Sequence, residues 1–203
     1  MAYLVLVRHG ESLWNAKGLW TGLTDISLSE KGKEEARKAG EAIKDIKFQM
    51  AFTSVLSRAK ETLQEIEESL GYKLPVVEDV AINERDYGDY TAKNKWQVKE
   101  SIGDEKFLQL RRSWDFPVPN GESLKDVYAR VMPYYQDHIL PELKAGKNVL
   151  ISAHGNSLRA LVKYLDNIPD DKIAELEIPT GQVLVYQVDQ NGKVTSKETR
   201  GAV

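Results

Sequence analysis

The stretch Tyr3-Leu-Val-Leu-Val-Arg-His-Gly-Glu-Ser-Leu-Trp-Asn15 decides how the chain is read, because a short apolar run ends abruptly in an arginine, a histidine and a glycine. Tyr3 to Val7 is apolar on both faces instead of alternating. That is the pattern of a central strand in a mostly parallel sheet, covered by helices on both sides. A second apolar run, Val149 to Ile151, ends in Ser152-Ala-His-Gly-Asn156, so the chain twice places a His-Gly pair just past a strand. Ligands of open α/β sheets bind outside the carboxyl ends of the strands, which makes that edge the expected site and His9 and His154 its centre.

Working outward, residues 8–28 carry Gly10, Gly18, Gly22 and Asp25 without a sustained period and predict a long loop. Ser27 or Ser29 caps an expected helix to about Asp45, with Ala36, Ala39, Ile43 and Ile46 on its inner face. Met50 to Thr53 reads as a second strand, and Val55 to Leu70 as a helix with Arg58 in its first turn, ending before Gly71. Leu74 to Val77 contains a proline and suits an edge strand. Asn83 to Asn120 reads as a mixed insert over the sheet edge, with helices at 95–101 and 104–112. A helix from Glu122 to about Lys144 is expected to be kinked or divided at Pro133 and Pro141. A strand at 148–152, a helix at 156–166 and a hairpin of Val183–Val188 with 194–198 around Asn191-Gly192 complete the pattern. The fold class is α/β: a three-layer sandwich with a mostly parallel central sheet and helices on both faces.

At 203 residues and 41% hydrophobic content the chain suits one sizeable core, and no linker composition divides it, so a single domain over 1–203 with a helical cap at about 83–120 is expected. The net charge of −3 arises from 31 acidic and 28 basic residues interspersed along the chain, which disfavours nucleic acid or an anionic membrane as partner. The absence of cysteine excludes disulfides, thiolate nucleophiles and cysteine-ligated metals. No apolar run approaches the roughly 18 to 20 residues of a membrane span, and Tyr3 to Val7 is too short for a signal-peptide core. A soluble, cytoplasmic protein is the expectation.

The chain holds three histidines. His138 falls in a helix among charged residues and reads as solvated. Arg8 adjoins His9 and Arg58 begins the helix after the second strand, so two guanidiniums can fork onto one phosphoryl group. A neutral imidazole is a competent nucleophile toward phosphorus, and fixed cations stabilise charge on the equatorial oxygens. A metal centre is disfavoured: no histidine pair stands at helical spacing with a carboxylate nearby, and the arginines repel a divalent cation. Glu84 is the candidate proton donor, the bland alternative being an ion pair with Arg85. Glu11, directly after the tight turn, suits a loop-fixing role.

The run Leu6-Val-Arg-His-Gly-Glu-Ser12 resembles the signature of the histidine phosphatase superfamily. Further segments are similar to its cofactor-dependent phosphoglycerate mutase branch: Trp14-Asn15, Thr21-Gly22, Thr53 to Ala59, Glu84-Arg85, Tyr87-Gly88, Asn94-Lys95, Arg111-Arg112, His154 to Asp166 and Ile178 to Gly181. The resemblance spans nearly the whole chain. It implies that His9 is phosphorylated, that Glu84 is the acid and base, and that Arg8, Arg58 and His154 hold the transferring phosphoryl group, with Asn15, Gly155 and Asn156 completing the pocket. Thr21, Gly22, Arg85, Tyr87, Lys95, Arg111 and Arg112 are implied to contact the carboxylate and second phosphate of a small phosphorylated three-carbon acid. Without the resemblance, Lys95, Arg111 and Arg112 read as a solvated helix face.

The implied reaction is interconversion of 2- and 3-phosphoglycerate in glycolysis and gluconeogenesis through a bisphosphoglycerate intermediate. 2,3-Bisphosphoglycerate is the priming cofactor, no metal is required, and a homo-oligomer is compatible with the resemblance. A phosphomonoesterase of the same superfamily would use His9, Glu84 and His154 identically, and a non-catalytic phospholigand-binding domain is the alternative from another class. Three departures stand out. Asp86 occupies a position where the resembled pattern usually has histidine, segment 87–93 is more charged than usual, and the Arg112–Glu122 link is short, which would trim an outer loop or open the pocket. The short tail ending at Val203 is expected to make a weak lid and to raise phosphatase side activity.

Overall fold

β1 (Ala2–Arg8) lies inside a six-stranded sheet, and a computed structural model describes residues 1–201 of the chain. The other strands are β2 (Met50–Thr53), β3 (Val76–Glu78), β4 (Val149–Ala153), β5 (Val183–Val188) and β6 (Val194–Arg200). Their order is β3-β2-β4-β1-β5-β6; the first four are parallel, while β5 and β6 add an antiparallel hairpin. Side chains of β1 point alternately into two cores, as its two-sided apolar pattern requires. Leu4 and Leu6 join one cluster with Phe52 and Ile151, and Val5 and Val7 join another with Ala51 and Leu150.

The helices are α1 (Leu13–Ala16), α2 (Glu30–Glu41), α3 (Ser57–Leu70), α4 (Lys95–Ile102), α5 (Asp104–Arg112), α6 (Leu124–Tyr134), α7 (Leu140–Lys144) and α8 (Gly155–Leu165). α2 and α3 cover the face of Val5 and Val7, and α6 to α8 cover the opposite face. Among the described residues no helix is long and apolar enough to cross a membrane.

Three expectations need correction. The 8–28 loop contains α1, closed by a capping box in which Ser12 and Asn15 exchange side-chain and main-chain bonds. α2 is capped by Ser29 and stops at Glu41; Ile43 and Ile46 stay buried in the turns that follow. Between Glu122 and Lys144 the helix widens into a π-turn at Tyr135–Ile139 just ahead of Pro141, whose missing N–H cannot bond one turn back. The insert at 83–120 packs on the loop before α2, with Trp20 joining Val98, Phe107, Leu110 and Val118 in a third cluster. Of the tail expected to form a weak lid, Ala202 and Val203 lie outside the described residues.

Candidate active site

Parallel pairing of β1 with β4 sets Arg8 opposite Ala153, so the next residue of each strand, His9 and His154, emerges side by side. The His9 amide donates to the Ala153 carbonyl at 2.9 Å, and the ring centroids are 5.0 Å apart. Both rings are buried. His9 Nδ1 lies 2.7 Å from the Gly10 carbonyl, an acceptor only, so Nδ1 carries the proton and Nε2 keeps its lone pair. Burial, then the fields of Arg58 and Arg8, hold the His9 imidazole well below the usual histidine range, against a smaller opposing effect of the Gly10 bond. The same burial, with Arg58, His9 and Arg8, keeps His154 neutral.

The turn after β1 is compressed against the start of α2. A Cβ on Gly10 would stand 2.0 Å from the Gly32 carbonyl oxygen, and one on Gly32 would stand 2.1 Å from that of Glu11. Glu11 is spent on fixing this turn, accepting from the Ser29 hydroxyl and pairing with Lys31. Arg58 is buried and donates to the carbonyls of Gly22 and Thr24, which draws the Thr21-Gly22 loop over His9. Arg8 donates to the Ile178 carbonyl, with Gly155 close against its guanidinium. Glu84 is buried, and its Oε1 accepts from the amides of Arg85 at 2.8 Å and Asn156 at 3.1 Å, so Oε2 is the oxygen left for a proton.

These groups line two adjoining chambers of one cleft. The inner one is bounded by Arg8, His9, Asn15, Thr21, Gly22 and Arg58; the outer one includes Lys95, Arg111, Arg112, Gly155 and Asn156. Arg8, Trp20, Glu84, Tyr87 and Lys95 line both. Six cations (Arg8, Arg58, Lys95, Arg111, Arg112, Arg159) face two carboxylates (Glu84, Glu177) in a chain whose net charge is −3, so the positive field is local. The Lys95 ammonium is pushed down to about 8 by burial and by the charges of Arg111 and Arg8. The Tyr87 hydroxyl accepts from Asn156 Nδ2 at 2.8 Å, leaving its own proton to donate.

Two sequence expectations change. Arg85, expected to touch substrate, lines neither chamber: its guanidinium donates to the Leu110 carbonyl and stacks on Tyr87, tying the insert together. It forms no ion pair with Glu84. Asp86, expected to bring an extra acid near Glu84, instead turns the chain, its carboxylate accepting from the Gly88 amide. His138 is exposed against Tyr134, and His154, though beside His9, lines neither chamber directly.

Sequence reading missed Trp20, Ser54, Arg130, Arg159 and Glu177. Arg159 is buried and spends its donors on the carbonyls of Arg111, Arg112, Ile173 and Leu176 and on Asn156 Oδ1, holding the end of α5 against α8. A lone arginine inside the apolar run Leu158 to Val162 is a signal that could have revealed it. Glu177 pairs with Arg112 at 2.6 Å in the outer chamber.

Residues 4–199 match the family described as the histidine phosphatase superfamily (branch 1). Among curated relatives, a 2,3-bisphosphoglycerate-dependent phosphoglycerate mutase of Chelativorans sp. (strain BNC1) is 52% identical over 198 residues, covering 96% of each chain. Its namesake from Parvibaculum lavamentivorans is 50% identical over 198 residues, covering 96% of this chain and 94% of the relative. Among solved structures, Bacillus stearothermophilus YhfR superposes with a TM-score of 0.84 at 25% identity, covering 100% of this chain and 98% of that one. The alpha-ribazole phosphatase from Shigella flexneri superposes with a TM-score of 0.81 at 23% identity, covering 98% and 96%, a likeness of fold.

Proposed function

The chain belongs to the histidine phosphatase superfamily, and we propose that it is a 2,3-bisphosphoglycerate-dependent phosphoglycerate mutase, interconverting 2- and 3-phosphoglycerate in the cytoplasm. The observation that carries this reading is the two-chamber cleft: cations line both ends, and the single carboxyl of Glu84 faces both. A phosphatase needs only the inner end. The outer cluster of Lys95, Arg111 and Arg112 suits a substrate with a second anion to be held while its phosphoryl group is exchanged.

The inner chamber fits a phosphoryl group. Arg8 Nε and Thr21 Oγ1 in its lining, and Nδ1 of His154 on the ring beside His9, are buried without a hydrogen-bond partner among the described residues, and each can donate to an anionic oxygen. 2,3-Bisphosphoglycerate, when bound, supplies the phosphoryl group that primes His9. The lone pair on His9 Nε2 forms the N–P bond as the P–O bond to the leaving oxygen breaks, and the proton on Glu84 Oε2 passes to that oxygen. In the return step Glu84 takes a proton from the accepting hydroxyl, whose oxygen forms the new O–P bond as the N–P bond breaks. Arg8 and Arg58 balance charge on the phosphoryl oxygens throughout. The insert at 83–120 acts as a cap that limits water at phosphorylated His9.

The deciding experiment incubates the protein with 3-phosphoglycerate, with and without catalytic 2,3-bisphosphoglycerate, and follows 2-phosphoglycerate and free phosphate. Isomerisation with little phosphate supports the mutase. Phosphate alone makes the protein a phosphomonoesterase, and neither product makes it a binding module.

A further inference from the structure

Ser54 and His154 leave neighbouring strands at the same sheet edge. β2 and β4 run parallel with Thr53 opposite Ser152, and beyond that pair the Ser54 hydroxyl lies 2.6 Å from Nε2 of His154. Both residues are fully buried. The direction of this bond follows from counting protons. Ser54 Oγ already accepts from the Leu56 amide at 3.2 Å, and among the described residues its own proton has no acceptor other than His154 Nε2. Were Nε2 protonated, the serine oxygen would accept twice and its hydrogen would be stranded in a dry site, which buried polar groups avoid. Donation from Ser54 to Nε2 strands nothing on the serine and leaves the one ring proton of neutral His154 on Nδ1.

We propose that Ser54 is a positioning residue that sets His154 in the Nδ1–H tautomer, so that this ring takes part in phosphoryl transfer as a neutral hydrogen-bond donor; the assignment rests on the phosphohistidine reading above. The two adjacent rings then share one tautomer and perform opposite tasks. The Gly10 carbonyl takes the Nδ1 proton of His9 and leaves Nε2 as the nucleophilic lone pair. The Ser54 hydroxyl occupies Nε2 of His154; the Ser157 amide in the first turn of α8 faces the same ring in a capping box, but at a geometry that leaves Nδ1 without a hydrogen bond among the described residues, so Nδ1–H stays available for a phosphoryl oxygen. Neither Ser54 nor His154 gives up its proton. Burial beside Arg58 and His9 disfavours the imidazolium, so the ring donates without adding a third charge between two arginines.

With only three histidines in the chain, long-range 1H–15N spectra of protein labelled at histidine resolve each ring, and His154→Gln identifies its signals. The expected wild-type pattern for His154 is Nδ1–H. An Nε2–H or doubly protonated ring overturns the proposal without any variant. In Ser54→Ala the His154 signals are expected to move toward the Nε2–H form, and orthovanadate, a mimic of the phosphoryl group in transfer, should bind about tenfold more weakly. A Ser54→Ala protein that keeps either the wild-type tautomer or the wild-type vanadate affinity also overturns it. Neither readout needs turnover, so failure to form acid-labile phosphate on His9 overturns the phosphohistidine reading separately.

Discussion

Nη2 of Arg130 donates to the main-chain carbonyl of Glu84 at 2.9 Å, so the proposed proton donor is held from helix α6 as well as by the Arg85 and Asn156 amides on its carboxylate. The same guanidinium reaches the carbonyls of Ala81 and Asn83 and forks onto Glu122, which in turn binds the Asp86 amide. Arg130→Lys keeps the charge and loses the fork. Turnover of 3-phosphoglycerate, which needs the acid, is expected to fall by about 10- to 100-fold. Release of dinitrophenolate from 2,4-dinitrophenyl phosphate, a leaving group that needs no proton, should change little. Equal losses on both substrates would mean that Arg130 only supports the fold.

Glu84→Gln retains an amide oxygen able to accept from the Arg85 and Asn156 N–H groups, so the local fold should persist. What is removed is the capacity of Oε2 to give and take a proton. Turnover is expected to fall by about 10²- to 10⁴-fold, with ligand affinity nearly unchanged, as measured by steady-state rates alongside direct binding of 3-phosphoglycerate. An unchanged rate would move the acid role elsewhere.

The Lys95 ammonium is pushed down to about 8, first by burial and then by Arg111 and Arg8. A lowered lysine pKa means that the charge is present below that pH and is lost above it. Affinity for 3-phosphoglycerate is therefore expected to weaken by up to about tenfold between pH 7 and pH 9. Lys95→Arg, which stays charged, should flatten this dependence. A titration in which wild type and variant share one pH profile would remove Lys95 from the anion site.

Arg159 holds the main chain of Arg111 and Arg112. In Arg159→Lys the outer cationic cluster loosens while the inner chamber keeps its own supports. The Michaelis constant for 3-phosphoglycerate is expected to rise about tenfold or more, with a smaller change in orthovanadate affinity. Parallel losses of both would place the damage in the whole fold.

Gly32→Ala puts a Cβ 2.1 Å from the Glu11 carbonyl oxygen, a clash between two backbones that no rotamer relieves. A cost of about 3 kcal/mol, or about 6–12 °C in Tm, is expected, together with loss of His9 labelling because the turn beneath His9 shifts. Gly71→Ala is the contrast: its φ is 81° but nothing lies within 4 Å of the added Cβ, so only the left-handed backbone is penalised, by about 1 kcal/mol. Thermal unfolding of the two variants separates steric from conformational cost.

The strands and the two histidines were legible because two-sided burial leaves unbroken apolar runs, and a run that stops at Arg-His-Gly marks where a sheet ends and chemistry begins. The places of the proposed inner anion ligands were legible from element ends. Arg8 and Arg58 stand at strand and helix ends where a solvated reading is poor. Arg85 was misjudged because its partner, the Leu110 carbonyl, belongs to another helix of the insert. Nothing near Arg85 in sequence distinguishes it from a residue of the cleft.

By itself, the sequence determined the α/β layering, the pairing of His9 with His154 at one edge and the placing of Arg8 and Arg58 beside them, since these follow from hydrophobic periodicity and from residue types at strand and helix ends; Lys95, Arg111 and Arg112 came to the cleft only through the family resemblance. Only the tertiary structure decided the proton positions and the supports: Nδ1–H on His9, the free Oε2 of Glu84, and the grip of Arg130 and Arg159. The physical reason is that most of these partners are main-chain amides and carbonyls. Every residue carries a carbonyl and nearly every one an amide, so their roles are written in spatial proximity and not in side-chain identity.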